Sequence, residues 1–332
     1  MIDSAVRVLV TGAGGFVGRH LVSELVSAGL TVCATDILDE APEALSGVEY
    51  RPCDLLDPRH VEALMDEWRP GAVYHLAARS SAAQSFEDPA GTIQTNLFGT
   101  LNILEAARRN IKRSPDGRFR ILAVGSSEEY GRRSPEEMPL TEDSRIEPVS
   151  PYAVSKAAQG MLVLQYRRSY GIDCIVTRSF SHTGPGQSER FVLPAFARQC
   201  AEIAAGLKNP VLRVGNLEVV RDFLDVRDVV RAYRLLMEKG RGGTIYNVCS
   251  GHGLALDDAL RRLTKDVPGT VSVETDPGLL RPADVPVMIG DSSRLKRDTG
   301  WEPEIGVDRM LADLISYWER VVVPSTADDS NR

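Results

Sequence analysis

The sequence is short of several features that would point to particular classes of protein. Its five cysteines are odd in number and include no Cys-x-x-Cys pair, and its five histidines show no metal-ligand spacing. No apolar run approaches the length of a membrane span, and the net charge of −7 comes without a long run of one sign. These absences argue against a metal site, a membrane protein and a nucleic-acid partner.

The cysteines are scattered along the chain, at Cys33, Cys53, Cys174, Cys200 and Cys249. We interpret them as reduced and mostly buried thiols, which predicts a cytoplasmic protein. The first residues carry Asp3 and reach a strand by Val6, so they do not resemble a signal peptide.

Apolar strands alternate with helical patterns from the start of the chain, which is typical of a parallel α/β sheet. The pattern predicts strands over 7–10, 31–35, 48–51, 72–76, 120–124 and 174–177. It predicts helices over 16–28, 58–67, 92–109 and 152–170. The expected fold class is therefore α/β, a Rossmann-type doubly wound parallel sheet.

The first predicted strand runs into a glycine-rich turn that reads Thr11-Gly12-Ala13-Gly14-Gly15-Phe16-Val17-Gly18. Gly12 permits a tight turn, Gly15 lets the backbone approach a pyrophosphate, and Gly18 lets helix and strand pack closely. The helix that begins at Phe16 and Val17 points its N-terminus at the phosphate charge. A strand, loop and helix in this order predict a dinucleotide-binding site.

An acidic residue, Asp36, closes the second strand eighteen residues beyond Gly18. At this place a carboxylate accepts hydrogen bonds from an adenosine ribose. No Arg or Lys follows through position 50 to hold a 2′-phosphate, so NAD(H) is favoured, with NADP(H) as the alternative. Asp54, after the third strand, either meets the adenine edge or is a turn residue. The alternative to a ribose contact for Asp36 is a helix cap or a turn residue.

After about residue 180 the pattern loosens. We therefore predict an NAD(P)-binding domain over 1–180, to which a segment near 215–250 returns. A smaller, discontinuous C-terminal α/β substrate lobe is expected over 181–322, with a flexible tail over 323–332.

Tyr152 and Lys156 lie four residues apart, one helical turn from each other. An ammonium that close lowers the pKa of a phenol, and such a tyrosine exchanges a proton with a substrate hydroxyl or carbonyl. Ser126 ends the fifth strand, at the edge of the sheet where ligands bind. Together with the dinucleotide loop, these residues predict hydride transfer on an alcohol or ketone. The spacing alone is also compatible with a surface pair.

Taken together, these features resemble the extended short-chain dehydrogenases/reductases that act on nucleotide sugars, over nearly the whole chain. The motifs that carry the resemblance are the glycine loop, His75-Leu76-Ala77-Ala78, Asn96 with Gly99-Thr100, Ser126, Tyr152 with Lys156, Arg221-Asp222-Phe223, Arg281-Pro282-Ala283-Asp284-Val285-Pro286 and Gly300-Trp301-Glu302-Pro303. The resemblance implies an NAD(P)-dependent oxidoreductase and adds Leu55, Leu76, Ala77 and Ala78 to the cofactor contacts. It implies that Lys156 also holds the nicotinamide ribose and that His75 is structural.

Within the family, the segments 182–187, 191–192, 197–199, 220–226 and 246–251 are most similar to reductases of GDP-linked 4-keto-6-deoxy sugars. This similarity implies reduction of a C4 ketone, with Tyr152 as proton donor and Ser126 orienting the oxygen. Glu128 leaves a GDP-mannose 4,6-dehydratase open, because a carboxylate near Tyr152 suits a base at C5. A 4-epimerase with tightly bound NAD is also open, as is a non-catalytic NAD-binding regulator, because the same fold serves several functions.

The resemblance also implies a GDP-linked sugar as the substrate and a homodimer paired through the helices predicted at 92–109 and 152–170. The implied substrate contacts are Ser85, Ser181, Arg198, Arg221 and Arg281. Three positions depart from the family pattern: Ser181 replaces a frequent Asn, Ser179 replaces a usual proline, and Arg79 replaces a Gln or a small residue.

Overall fold

A central parallel sheet organises the chain. The structure, a computed structural model, describes residues 6–111, 119–280 and 285–323. Its strands are β1 (Arg7–Thr11), β2 (Thr31–Thr35), β3 (Glu49–Tyr50), β4 (Ala72–His75), β5 (Arg120–Ser126), β6 (Asp173–Ser179), β7 (Ser181–Thr183), β8 (Val211–Val214), β9 (Val220–Asp225), β10 (Thr244–Val248), β11 (Gly253–Ala255), β12 (Ser272–Thr275) and β13 (Val287–Met288). Within the described part, seven of them pair in parallel in the order β10-β6-β5-β4-β1-β2-β3.

Helices cover both faces of this sheet and build the smaller lobe. They are α1 (Phe16–Ser27), α2 (Pro58–Trp68), α3 (Ala82–Glu87), α4 (Pro89–Ile93), α5 (Gly99–Ile111), α6 (Pro151–Tyr170), α7 (Val192–Ala204), α8 (Val226–Lys239), α9 (Leu256–Thr264), α10 (Ser293–Thr299) and α11 (Val307–Val322). A π-helical turn, Gln94–Phe98, joins α4 to α5.

The strand β1 shows why the sheet is covered on both sides. Val8 and Val10 belong to a core shared with α1 and α8, whereas Leu9 belongs to a second core shared with α2, α5 and α6. Successive side chains of a strand point to opposite faces, so a strand of consecutive apolar residues needs a packed layer on each side. All three side chains are fully buried.

The predicted fold class is confirmed by this sheet and by its helices. Two predicted elements differ in detail. The third strand is shorter than expected, Glu49–Tyr50, and the single helix expected over 92–109 is interrupted by the π-helical turn. The strand β10 returns to the edge of the main sheet beside β6. The domain boundaries themselves remain a prediction.

A smaller lobe has its own core, formed largely by side chains of α7, α9 and α11. The strand β9 lies at its centre, pairing with β7, β11 and β13. In the chain, β7 directly follows β6, and β9 directly precedes α8. These two connections hold the small sheet next to the main one. The lobe thereby places Ser181 and Arg221 on neighbouring strands.

The five cysteines are all free and buried, which confirms the prediction of reduced, buried thiols. Burial raises the pKa of Cys33 to about 12, so this thiol stays protonated near neutral pH. No helix in 6–111, 119–280 or 285–323 combines the length and the apolar character needed to cross a membrane.

Candidate active site

The glycine loop joins β1 to α1 and leaves no room for side chains at two positions. Gly12 has φ +70°, and a Cβ there would lie 2.7 Å from the backbone nitrogen of Ala77. A Cβ at Gly18 would lie 2.2 Å from the carbonyl oxygen of Gly12. Glycine is therefore required where the loop packs on the segment after β4 and where α1 packs on the loop. The tight loop and the open N-terminus of α1 fit the phosphates of a dinucleotide.

Asp36 lies directly over this loop. Its Oδ2 accepts a hydrogen bond from the Gly14 N–H at 2.9 Å, and its Oδ1 accepts one from the Ile37 N–H at 2.8 Å. The side chain is half-buried, and the Ile37 side chain beside it is 69% exposed. A carboxylate fixed at the end of β2 is in the place where a dinucleotide presents its ribose.

The other predicted cofactor contacts lie along the same edge of the sheet. After β4, the Leu76 N–H donates to Thr11 O and the Ala77 N–H donates to Thr11 Oγ1. Leu76 and Ala77 are half-buried, as are Ala78, Phe16, Val17 and Leu55. Asp54 forms a turn, because its Oδ1 accepts the Leu56 N–H at 2.9 Å. That contact supports the turn alternative for Asp54.

The structure brings Ser126, Tyr152 and Lys156 together at the ends of β5 and α6. Ser150 caps α6 by accepting the Ala153 N–H, which places Tyr152 in the first turn. A side-chain hydrogen bond joins Tyr152 to Ser126. Tyr152 and Lys156 are 8% and 3% exposed, so both are largely shielded from bulk water.

The expected lowering of the Tyr152 pKa by Lys156 is wrong for this arrangement. Burial raises the pKa of Tyr152, the Glu128 carboxylate raises it further, and the hydrogen bond with Ser126 opposes the rise. The Lys156 ammonium donates to Val124 O at 2.8 Å and to Gln159 Oε1 at 3.0 Å instead. Burial lowers the pKa of Lys156 to about 8. The effect of desolvation on the Tyr152 pKa outweighs the effect of the Lys156 charge that the four-residue spacing suggested.

The structure gives the residues predicted to contact the substrate different surroundings. Ser85 is fully buried and donates its hydroxyl to Ala82 O at 2.6 Å, so this hydroxyl already has a partner within its own helix. Arg198 forms ion pairs with Glu189 and Glu202, both at 2.8 Å, so its guanidinium already has two partners. A serine side chain is short, so its hydroxyl readily finds a hydrogen-bond acceptor in its own helix. Two nearby carboxylates are enough to pair with one guanidinium.

Two further predicted contacts lie on the small sheet. Ser181 on β7 is half-buried and in register with Phe223 of β9. Arg221 on β9 is also half-buried, and its Nη1 donates to Val220 O at 3.0 Å. Arg281 lies outside the described residues.

Comparison with known proteins decides the family. Residues 9–314 match the model of the family described as GDP-mannose 4,6 dehydratase. The chain belongs to this family. The family match confirms the prediction from the sequence of an NAD(P)-dependent enzyme of the extended short-chain dehydrogenase/reductase type.

Relatives of the GDP-mannose 4,6 dehydratase family resemble this chain over almost its full length. The GDP-6-deoxy-D-mannose reductase of Pseudomonas aeruginosa is 39% identical over 94% of this chain and 97% of its own. The dTDP-glucose 4,6-dehydratase of Xanthomonas campestris pv. campestris (strain ATCC 33913 / DSM 3586 / NCPPB 528 / LMG 568 / P 25) is 34% identical over 93% of this chain and 92% of its own.

Solved structures show the same fold with both kinds of nicotinamide cofactor. The structure of RMD from Pseudomonas aeruginosa complexed with NADPH has a TM-score of 0.84 and 36% identity, covering 96% of this chain and 100% of its own. Thermus thermophilus UDP-glucose 4-epimerase in complex with NAD has a TM-score of 0.83 and 31% identity, covering 94% of this chain and 98% of its own.

The histidine of the family motif, His75, has a structural place in this chain. Its Nδ1 lies 2.8 Å from Thr11 Oγ1 and its Nε2 lies 2.8 Å from Thr100 Oγ1. Burial lowers the pKa of His75 to about 3, so the ring is neutral. This arrangement agrees with the expectation that His75 is structural and no acid or base.

Two residues that the sequence left without a role hold the site together. Asn96, in the π-helical turn, donates to Arg79 O and to Ser155 Oγ, and it accepts the Arg79 N–H. Its amide thus joins the segment after β4 to helix α6. Glu129 is 2% exposed beside Ser126 and pairs with Arg178. Only the family motif marked Asn96, and no local signal marked Glu129.

Proposed function

We propose that this protein reduces the C4 ketone of a GDP-linked 4-keto-6-deoxyhexose with NAD(P)H, giving a GDP-6-deoxyhexose of the 6-deoxy-D-mannose type. The observation that carries the proposal is the 39% identity, over 94% of the chain, to a GDP-6-deoxy-D-mannose reductase. The juxtaposed Ser126, Tyr152 and Lys156 supply the proton chemistry that such a reduction needs.

Each of these side chains has a distinct task. NAD(P)H, when bound, supplies the hydride to C4. The Tyr152 hydroxyl gives its proton to the C4 oxygen, and burial keeps this phenol protonated because it raises its pKa. The Ser126 hydroxyl orients the same oxygen. Lys156, a buried cation anchored to Val124 O, holds the nicotinamide ribose and favours negative charge on the reacting oxygen.

Glu128 supports a second candidate function, a GDP-mannose 4,6-dehydratase. Its side chain is half-buried, and it lies close enough to Tyr152 for its charge to raise the Tyr152 pKa. A carboxylate in that position suits removal of the C5 proton, which a dehydratase needs and a simple reductase does not. The two functions differ in whether reductant is consumed.

We infer that NADH is the preferred reductant. The half-buried Asp36 carboxylate at the end of β2 would repel a 2′-phosphate, and its Gly14 and Ile37 partners hold it in place. A relative in this family has been solved with NADPH, so the choice rests on Asp36 and its neighbours.

We further infer a cytoplasmic homodimer. Helix α6 and the turn before α5 carry large apolar side chains on their outer surface, with Val154, Met161 and Phe98 being 45%, 57% and 52% exposed. A second copy covering these helices would bury them. Sedimentation of the wild type and of Met161→Glu should show a dimer that the charged variant weakens.

The deciding experiment follows the reductant. Purified protein is incubated with NADH and GDP-4-keto-6-deoxy-mannose, and separately with GDP-mannose without added cofactor. A reductase oxidises one NADH for each sugar reduced and leaves GDP-mannose unchanged. Conversion of GDP-mannose to the keto sugar without NADH would overturn the proposal and assign Glu128 as the C5 base.

A further inference from the structure

A buried carboxylate lies directly behind Ser126. Glu129 Oε1 accepts the Ser126 N–H at 2.9 Å, while Ser126 Oγ accepts the Glu128 N–H at 3.2 Å. This reciprocal cap fixes both the backbone and the hydroxyl of Ser126 at the end of β5. The Ser126 side chain is also hydrogen-bonded to Tyr152.

The surrounding residues are shaped around this carboxylate. A Cβ at Gly125 would lie 2.5 Å from Glu129 Oε1, so only glycine leaves the carboxylate in place. Arg178 of β6 donates from Nε to Glu129 Oε2 at 3.0 Å, and its side chain is 7% exposed. The same guanidinium donates to Glu142 O and lies over the Tyr130 ring at 4.7 Å.

An ion pair so deeply buried needs a reason beyond stability, because two buried charges often stabilise a fold no more than apolar residues would. The pair touches the catalytic strand at Ser126, and Lys156 binds the same strand at Val124. Ser126 and Lys156, the two groups beside Tyr152, are thus both held in position by one short stretch of β5.

We propose that Glu129, anchored by Arg178, is a positioning residue that fixes Ser126 against Tyr152 and keeps a negative charge behind the catalytic pair. This inference rests on the proposed function for its kinetic test. It assigns Glu129 a role in the rate of the chemical step and none in binding of the cofactor.

The charges around Glu129 set the direction of its pH effect. Arg178 faces it from β6, Lys156 and Tyr152 from α6, and Glu128 and Tyr130 belong to its own turn. Tyr233 of α8 also faces Tyr152. The Glu129 charge raises the pKa of Lys156 and of Tyr152. Loss of that charge therefore lowers both pKa values.

Three variants separate the hydrogen bond from the charge. Glu129→Gln keeps an acceptor for the Ser126 N–H and removes the charge. The double variant Glu129→Leu with Arg178→Leu removes acceptor and charge without leaving an unpaired buried ion. Glu142→Gln is the matched control, because Glu142 is another buried carboxylate that contacts Asn247 and Arg294 and has no hydrogen bond to Ser126.

The expected results differ between the variants. In Glu129→Gln the alkaline limb of kcat/KM should move to lower pH by about 0.5–1 unit, the effect of one nearby charge at an intermediate dielectric. The double variant should lose roughly 10- to 100-fold in kcat through misplacement of Ser126. NADH affinity and KM should stay within about twofold in both, and Glu142→Gln should match the wild type, on the same reasoning.

Several outcomes would overturn the proposal. They are an unshifted pH limb with wild-type kcat in Glu129→Gln, equal losses in Glu142→Gln, or wild-type kcat in a double variant that binds NADH normally. Glu129→Gln decides alone if the double variant does not fold.

If the wild type reduces no 4-keto sugar, the proposed function fails and the role of Glu129 is tested by amide hydrogen exchange. Faster exchange of 120–130 in Glu129→Gln than in Glu142→Gln supports it, since a neutral acceptor holds the Ser126 N–H more weakly. Equal exchange rates overturn it.

Discussion

At the scale of the residue, the active site depends on what burial does to two ionisable side chains. Burial raises the pKa of Tyr152 and lowers that of Lys156 to about 8. Each shift favours the neutral form of its group. A phenol that keeps its proton near neutral pH is suited to act as an acid toward the oxygen at C4.

Tyr152→Phe tests this acid. The variant loses the proton donor and keeps the ring, so turnover should fall by roughly two to four orders of magnitude while NADH still binds. Tyr170→Phe is the control, because Tyr170 is 52% exposed at the far end of the same helix and should keep full activity. Steady-state rates and NADH fluorescence titration measure both effects. Near-wild-type turnover in Tyr152→Phe would rule out the assignment.

Asp36→Ser tests the choice of cofactor. Serine keeps a neutral, polar hydroxyl, but the charge that repels a 2′-phosphate is gone. The ratio of kcat/KM for NADPH to that for NADH should rise by about tenfold, which corresponds to about 1.4 kcal/mol. Asp39→Ser, an exposed change three residues on, should leave the ratio unchanged. A wild-type protein clearly more efficient with NADPH contradicts this role of Asp36.

At the scale of the element, the shape of the glycine loop depends on close contacts between main-chain atoms. The contacts that forbid a side chain at Gly12 and Gly18 are to main-chain atoms of Ala77 and of Gly12. Main-chain atoms in a tightly packed loop cannot move aside as the end of a flexible side chain can. A side chain at either position would therefore distort the loop.

Gly18→Ala should distort the junction of β1 and α1. We expect a loss of about 1–3 kcal/mol in the free energy of unfolding, as for other overpacked sites, and weaker NADH binding. Gly306→Ala is a matched control, since a Cβ there meets nothing within 4 Å. Urea unfolding and NADH titration would measure both variants. Equal behaviour of the two would contradict the packing argument.

At the scale of the whole molecule, buried histidines link stability to pH. Burial lowers the pKa of His75 to about 3, and it also lowers the pKa values of His20 and His182. The unfolded chain takes up protons at these sites near its ordinary pKa of about 6.5, before the native state does. Their contribution to stability is therefore complete above that pH and is lost as the pH falls below it.

His75→Gln should remove part of this dependence. Between pH 6.5 and 4.5, the slope of the unfolding free energy should become shallower by about 1.4 kcal/mol per pH unit, one proton's worth. His60→Gln should keep the wild-type slope, because His60 lies on the surface with 61% of its side chain exposed. Urea titrations at several pH values give the slopes. An unchanged slope in His75→Gln would disprove the link.

The sequence by itself determined most of the elements and the candidate catalytic set. The alternation of strands and helices, the glycine spacing and the Tyr-x-x-x-Lys step are local patterns, set by periods of 2 and 3.6 residues and by short turns. Most of the strands and helices that these patterns predicted are present, apart from the shorter third strand and the π-helical turn. Their ends at one edge of a parallel sheet bring Ser126, Tyr152 and Lys156 together. Family motifs extended this to the cofactor and substrate class.

Only the tertiary structure decided which partner each side chain takes. Arg178 is 49 residues from Glu129, and Asn96 is 59 residues from Ser155, so no local pattern encodes either contact. The Lys156 ammonium donates to Val124 O, and burial by the surrounding segments raises the pKa of Tyr152. Desolvation and long-range pairing are properties of the packed molecule, and they arise only when distant segments exclude water together.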